Sequence, residues 1–63
     1  MSNHVVGSIF IDKSRNIVYT IVNVDYYKSD KGKVFSYTIH RTDTNVTDRI
    51  NDWWLDIYAE KVS

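Results

Sequence analysis

The chain has 63 residues, 43% of them apolar and 25% charged, with eight basic against eight acidic side chains and no cysteine. This composition fits one folded domain spanning residues 1–63 and excludes disulfides, thiolate zinc sites and cysteine nucleophiles. A formal net charge of zero argues against strong phosphate-driven binding and leaves little repulsion between copies.

Residues 1–4 read as a frayed terminus, with no basic stretch and long apolar core to mark a secretory signal. Proline is absent and glycine occurs only at Gly7 and Gly32, so polar clusters must punctuate the chain. Residues 5–12 (VVGSIFID) are rich in β-branched and aromatic side chains and predict a strand. Lys13, Ser14, Arg15 and Asn16 form a turn. Residues 17–27 (IVYTIVNVDYY) predict a long second strand. Residues 28–33 (KSDKGK) form another turn, with Gly32 free to take positive φ. Residues 34–42 (VFSYTIHRT) predict a third strand. Short turns between consecutive strands imply an antiparallel meander whose borders are the first and third strands, without proline to protect them. After this the period changes. Ile50, Trp53, Trp54, Ile57 and Tyr58 are spaced as on a helix. Thr47 or Asn45 would cap it, and Asp48 and Lys61 suit its two ends. The expected fold is thus α+β, a three-stranded antiparallel β-meander packed against one C-terminal helix (β-β-β-α).

Pairing Tyr26 with Phe35, Val24 with Tyr37 and Val22 with Ile39 collects Val18, Val22, Val24, Tyr26, Phe35, Tyr37 and Ile39 on one face. The first hairpin adds Val5, Ile9 and Ile11, and the helix should cover this face. The other face then shows Val6, Phe10, Tyr19, Ile21 and Tyr27, with Phe10 and Tyr19 as a cross-strand pair. The predicted helix is apolar over an arc of about 200°, wider than the ~100° stripe a surface helix needs. This surplus predicts a homodimer or partner interface through Leu55, Tyr58, Val62, Phe10, Tyr19 and Ile21. Trp53 and Trp54 read as core residues, either of which would anchor an interface if exposed.

Charge is uneven. Residues 1–42 hold six basic and three acidic side chains, and residues 43–63 hold two basic and five acidic. Asp48, Asp52, Asp56 and Glu60 would form an acidic stripe along the helix, read first as a solvated face and otherwise as a contact for a basic partner, a mimic of a nucleic-acid backbone or a weak cation site. Lys13, Arg15, Lys28, Lys31, Lys33 and Arg41, with Tyr19, Tyr27, Asn23, Ser36 and Thr38, would supply a nucleic-acid-binding sheet surface. No catalytic or metal-binding set is expected. His40 with Asp25 lacks a nucleophile or oxyanion site, and His4 lies in the terminus. Asn45-Val46-Thr47 matches a glycosylation sequon but reads better as capping chemistry.

In element order, with a tryptophan on the helix, the chain resembles the arm-binding domains of tyrosine recombinases and plant AP2 domains, which lay their sheet in the DNA major groove. The strongly basic sheet face of those families is missing. Length, composition and the order VVGSIFID, IVYTIVNVDYY, VFSYTIHR, DRINDWWLDIY also resemble small Bacillus prophage orphan proteins of the YopT type. That resemblance implies a phage-encoded homodimer with three strands and one helix per monomer and no catalytic residue to carry over. The expectation is a cytoplasmic, non-enzymatic homodimeric interaction module without cofactor or membrane contact. A host protein is a possible partner. The alternative is a nucleic-acid-binding module using the outer sheet face.

Overall fold

The computed structural model describes residues 4–62. The elements are β1 (Ile9–Asp12), β2 (Ile17–Tyr26), β3 (Val34–Arg41), β4 (Val46–Asn51), α1 (Trp54–Tyr58) and β5 (Ala59–Lys61). They form one five-stranded antiparallel sheet in the order β4-β3-β2-β1-β5. The three-stranded β-β-β-α fold, and with it the α+β class, is overturned. The protein is mostly sheet with one short helix. The likeness to three-stranded DNA-binding domains falls with it.

The structure departs from the expected helix after Arg41. Residues 42–45 make a tight turn in which the Asn45 N–H donates to the Arg41 carbonyl at 3.0 Å, with Asn45 at φ 58°. The β1–β2 turn repeats the design: the Asn16 N–H donates to the Asp12 carbonyl at 2.6 Å, and Asn16 sits at φ 57°. Asparagine tolerates this left-handed conformation better than most residues, so each turn closes a hairpin. Val46 and Ile50, four apart, suit one face of a helix and equally one face of a strand. Here they lie in β4, opposite Arg41 and Tyr37. Asn45 and Thr47 therefore cap no helix, and α1 has no side-chain cap at all.

β1 and β3 are interior strands, and the true edges are β4 and β5. Both are protected. β5 has only three residues. In β4, a two-fold antiparallel pairing centred on the strand would oppose Asp48 with Asp48 or Arg49 with Arg49, and like charges directly opposite are destabilising.

Two irregularities in the β2–β3 ladder decide which face is the core. Val24 pairs with Tyr37 as expected, but Ile21, not Val22, pairs with Ile39. Val22 is the extra residue of a β-bulge, and one extra residue switches side chains before it to the other face. Tyr19 and Ile21 thus join Val24 and Tyr37 on the inner face. Phe10 does pair with Tyr19, on the inner face rather than the outer one. The second shift pairs Tyr26 with Val34 and leaves Phe35 bulged. Val34 is buried, and Phe35 is 51% exposed. The core is Phe10, Tyr19, Ile21, Val34, Tyr37, Ile39 and Leu55, bordered by Ile17, Val24, Ile50, Trp54 and Ala59.

α1 joins the two sheet edges. Five helical residues advance only ~7.5 Å. The edges of a flat five-stranded sheet would stand ~19 Å apart. Asp52 and Trp53 extend the connection, and α1 runs from β4 to β5 with Leu55 fully buried.

Candidate functional site

Of the six expected interface residues, Phe10, Tyr19, Ile21 and Leu55 are buried in the chain's own core. No partner reaches them in the folded chain. The predicted helical surplus assumed a helix capped at Asn45 or Thr47 and carrying Ile50. Ile50 belongs to β4, so Leu55 is needed inside a single copy. Tyr58 and Val62 are exposed and remain available. The acidic stripe does not exist as a helical ladder. Asp48 lies in β4, Asp52 precedes α1, Asp56 is in α1 and Glu60 is in β5.

One cluster of exposed apolar side chains lies on the outer side of α1 and at Trp53 just before it. Trp53, Ile57 and Tyr58 are 45%, 65% and 51% exposed. The Tyr58 ring lies between the two indoles, with centroids 6.4 Å from Trp53 and 5.3 Å from Trp54. Trp54 turns inward and meets Tyr19 edge-on at 5.8 Å. Adjacent helical positions point about 100° apart, so the pair divides one indole to the core and one to solvent.

A second surface lies at the tip joining β2 to β3. Tyr26, Tyr27, Lys28 and Phe35 line a concavity of about 280 Å³. The Tyr27 and Phe35 rings meet edge-on at 5.2 Å, and the Lys33 ammonium stands over the Tyr27 ring at 5.3 Å. Backbone hydrogen bonds from Tyr27 N–H to the Lys33 carbonyl (3.0 Å) and from Lys33 N–H to the Asp30 carbonyl (3.1 Å) close the loop.

The six cations expected to contact nucleic acid divide between the two ends of β2. That strand is ten residues long, so the ends are roughly 30 Å apart. At one end Arg15 and Arg41 are occupied by the fold. Asp12 is buried and accepts from the Ser14 hydroxyl at 2.8 Å, the Ser14 N–H at 3.0 Å and the Arg15 Nε–H at 3.0 Å. Led by the Ser14 hydroxyl, these donors hold the Asp12 carboxyl below its ordinary range against the opposing effect of burial. Arg15 also donates to the Tyr19 hydroxyl at 3.2 Å. Arg41 makes a two-pronged contact with Asp43 at 3.1 and 2.8 Å. Lys13 lies 4.0 Å from Glu60. Lys28, Lys31 and Lys33, at the other end, make no ion pair among the described residues. Tyr19 and Ser36, expected on the binding surface, are buried.

A cleft of about 270 Å³ lies beside Arg15, Tyr19, Arg41, Asp48 and Trp54. Asp12 and Asp43 offset its two guanidinium groups, and Asp48 leaves a net negative charge.

His4 is the residue the sequence reading misplaced most. Residues 1–3 of the expected frayed terminus lie outside the described residues, but His4 is only 9% exposed. Its N–H donates to the Tyr37 hydroxyl at 3.1 Å, and its Nε2 lies 2.9 Å from an Asp56 carboxylate oxygen. Its ring meets Phe10 edge-on at 4.7 Å. Burial pushes the Tyr37 hydroxyl up, the His4 N–H opposes this, and the Asp56 and Asp52 carboxylates add to it. His4, Tyr37 and Asp56 tie the start of the described chain to α1. A histidine and an aspartate 52 positions apart give no sequence signal of such a contact. His40 pairs opposite Thr20, and Asp25 pairs opposite Ser36, four residues away along β3. That spacing is about 13 Å, so they share no proton. No group of three or more histidine, aspartate or glutamate side chains among the described residues is placed to hold a metal. No described helix is long and apolar enough to cross a membrane.

Comparison with protein-family models, with curated proteins and with solved structures found no match to the chain.

Proposed function

We propose that this chain is a non-enzymatic interaction module whose contact surface is the outer side of α1, and that a second copy is its first partner. One observation carries the reading. A five-residue helix buries only Leu55, while Ile57 and Tyr58, with Trp53 just before the helix, face solvent. Clustered apolar surface of this kind marks interaction sites, and tryptophan and tyrosine are the usual anchors of such contacts. A formal charge of zero leaves little repulsion to keep copies apart. The surface differs from the one expected from sequence: Tyr58 and Val62 stay, Trp53 and Ile57 enter, and the four core residues leave.

Sedimentation equilibrium from micromolar to millimolar protein tests this, with Ile57→Lys as the variant. Ile57 is 65% exposed, so the substitution should spare the fold. The expected result is a mass approaching two chains in the parent and one chain in the variant. A single-chain mass throughout the range, or identical association of parent and Ile57→Lys, would refute the reading.

A further inference from the structure

We propose that the β2–β3 tip is a binding site for single-stranded nucleic acid, independent of the α1 surface. The tip brings together two features that neither the core nor the strand ladder requires. The first is three aromatic rings in the open: Tyr26, Tyr27 and Phe35 are 50%, 36% and 51% exposed. Phe35 is there because of the bulge. Without the register shift it would pair opposite Tyr26; with it, Val34 takes that place and Phe35 turns out beside Tyr27. Bulges of this kind re-aim side chains and are enriched beside functional sites.

The second feature is charge. Lys28, Lys31 and Lys33 lie in or beside the loop, and the only carboxylate between residues 26 and 35 is Asp30. Asp30 is committed to the loop itself, accepting the Gly32 N–H at 3.1 Å. The protein's neutrality is therefore not local. Its arginines are consumed by Asp12, Asp43 and Asp25, and the tip keeps its positive charge.

Aromatic faces beside unpaired lysines are the combination that binds unpaired strands. Bases stack on the rings, and phosphates meet the ammonium groups. A duplex hides its base faces and presents phosphate and groove edges, for which three lysines are few. The concavity of about 280 Å³ lined by Tyr26, Tyr27, Lys28 and Phe35 offers a seat for a base between rings.

Fluorescence anisotropy with labelled short oligothymidylate, oligouridylate and a duplex of equal length tests the site over a salt series. Both single strands should bind better than the duplex; a difference between them reports contact with the ribose 2′-hydroxyl or with the thymine methyl group. If three phosphates are engaged, the log–log salt slope should be about −2, and Lys31→Gln should reduce its size by about 0.7. Phe35→Ala and Tyr27→Ala should each weaken binding roughly 5- to 150-fold, the range expected for one lost stacking partner. Phe35 is half in solvent, so its truncation should lower the melting temperature by only a few degrees and leave the chain folded at the assay temperature. Ile57→Lys should bind as the parent does, which separates this site from the α1 surface. Absence of binding at low salt, equal affinity for the duplex, or undiminished binding by Phe35→Ala would overturn the proposal.

Discussion

Leu55 is the side chain on which the two ways of reading α1 differ most. The structure makes it the only buried residue of the helix, with no exposed surface, packed in the core with Phe10, Tyr19, Ile21 and Tyr37. Replacing it with alanine removes three carbons. At ~0.8 kcal/mol per buried carbon the transfer loss is about 2.4 kcal/mol, and the cavity left behind raises the total to about 3 kcal/mol. For a domain this small, 1 kcal/mol shifts Tm by about 6 °C, so Leu55→Ala should melt about 20 °C below the parent. Ile57→Ala, on the exposed side of the same helix, should change Tm by no more than a few degrees. Circular dichroism melts of the three proteins at one low concentration decide the matter. A Leu55→Ala variant that melts within 5 °C of the parent, while the Ile57 variant falls, would refute the placement of Leu55 in the core.

Two other perturbations probe the hairpin ends. Asp12→Asn should cost about 2 kcal/mol, because it removes a buried negative acceptor from the donors of Ser14 and Arg15. Asp12 is depressed below its ordinary 3.8 in the folded chain. Its contribution is therefore fully present above that value and is lost as pH falls from 3.8 toward the folded value. Urea midpoints from pH 7 to 2 should decline over this acid window in the parent and decline less in Asp12→Asn. At the left-handed turn positions, Asn45→Val and Asn16→Val should each cost about 1–2 kcal/mol, while the glycine variants should match the parent or exceed it. Equal melting of valine and glycine variants at either site would contradict the positive φ.

The parts of this fold that were legible are those where local chemistry and long-range packing agree. The second and third strands, the antiparallel order and the Val24–Tyr37 pair follow from β-branched runs separated by polar turns. Of the expected 5–12 strand only Ile9–Asp12 forms, because Val6 and Gly7 turn, with Gly7 rather than Gly32 at positive φ. The fourth strand was hidden by a coincidence of periods. Val46 and Ile50 satisfy a helix and a strand alike, and the clue that decides between them is the turn before them. Thr42-Asp43-Thr44-Asn45 ends in the same residue as Lys13-Ser14-Arg15-Asn16, and both hand over to a β-branched residue. The inverted core has a different origin. No local pattern announces the extra residue at Val22, yet it moves Phe10, Tyr19 and Ile21 from the presumed surface to the interior. β5, three residues long, exists only because β1 offers it a partner. The candidate surfaces were partly legible for the same reasons. The lysines of the tip and Tyr58 were visible as exposed chemistry. The exposure of Phe35 and Trp53 depends on a bulge and on a helix boundary that only the folded chain defines.

The strand order also sets how the molecule opens. β1 through β4 are joined by consecutive hairpins, each closing a short loop, whereas β5 must find β1 from the far end of the chain, with Phe10 opposite Lys61. α1 and β5 thus form the unit with the most distant attachments, held by Leu55, the His4–Asp56 contact and one short ladder. Native-state amide exchange should show this unit released together, at lower free energy than the meander, so that transient unlatching bares the flank of β1 and the underside of the core at once.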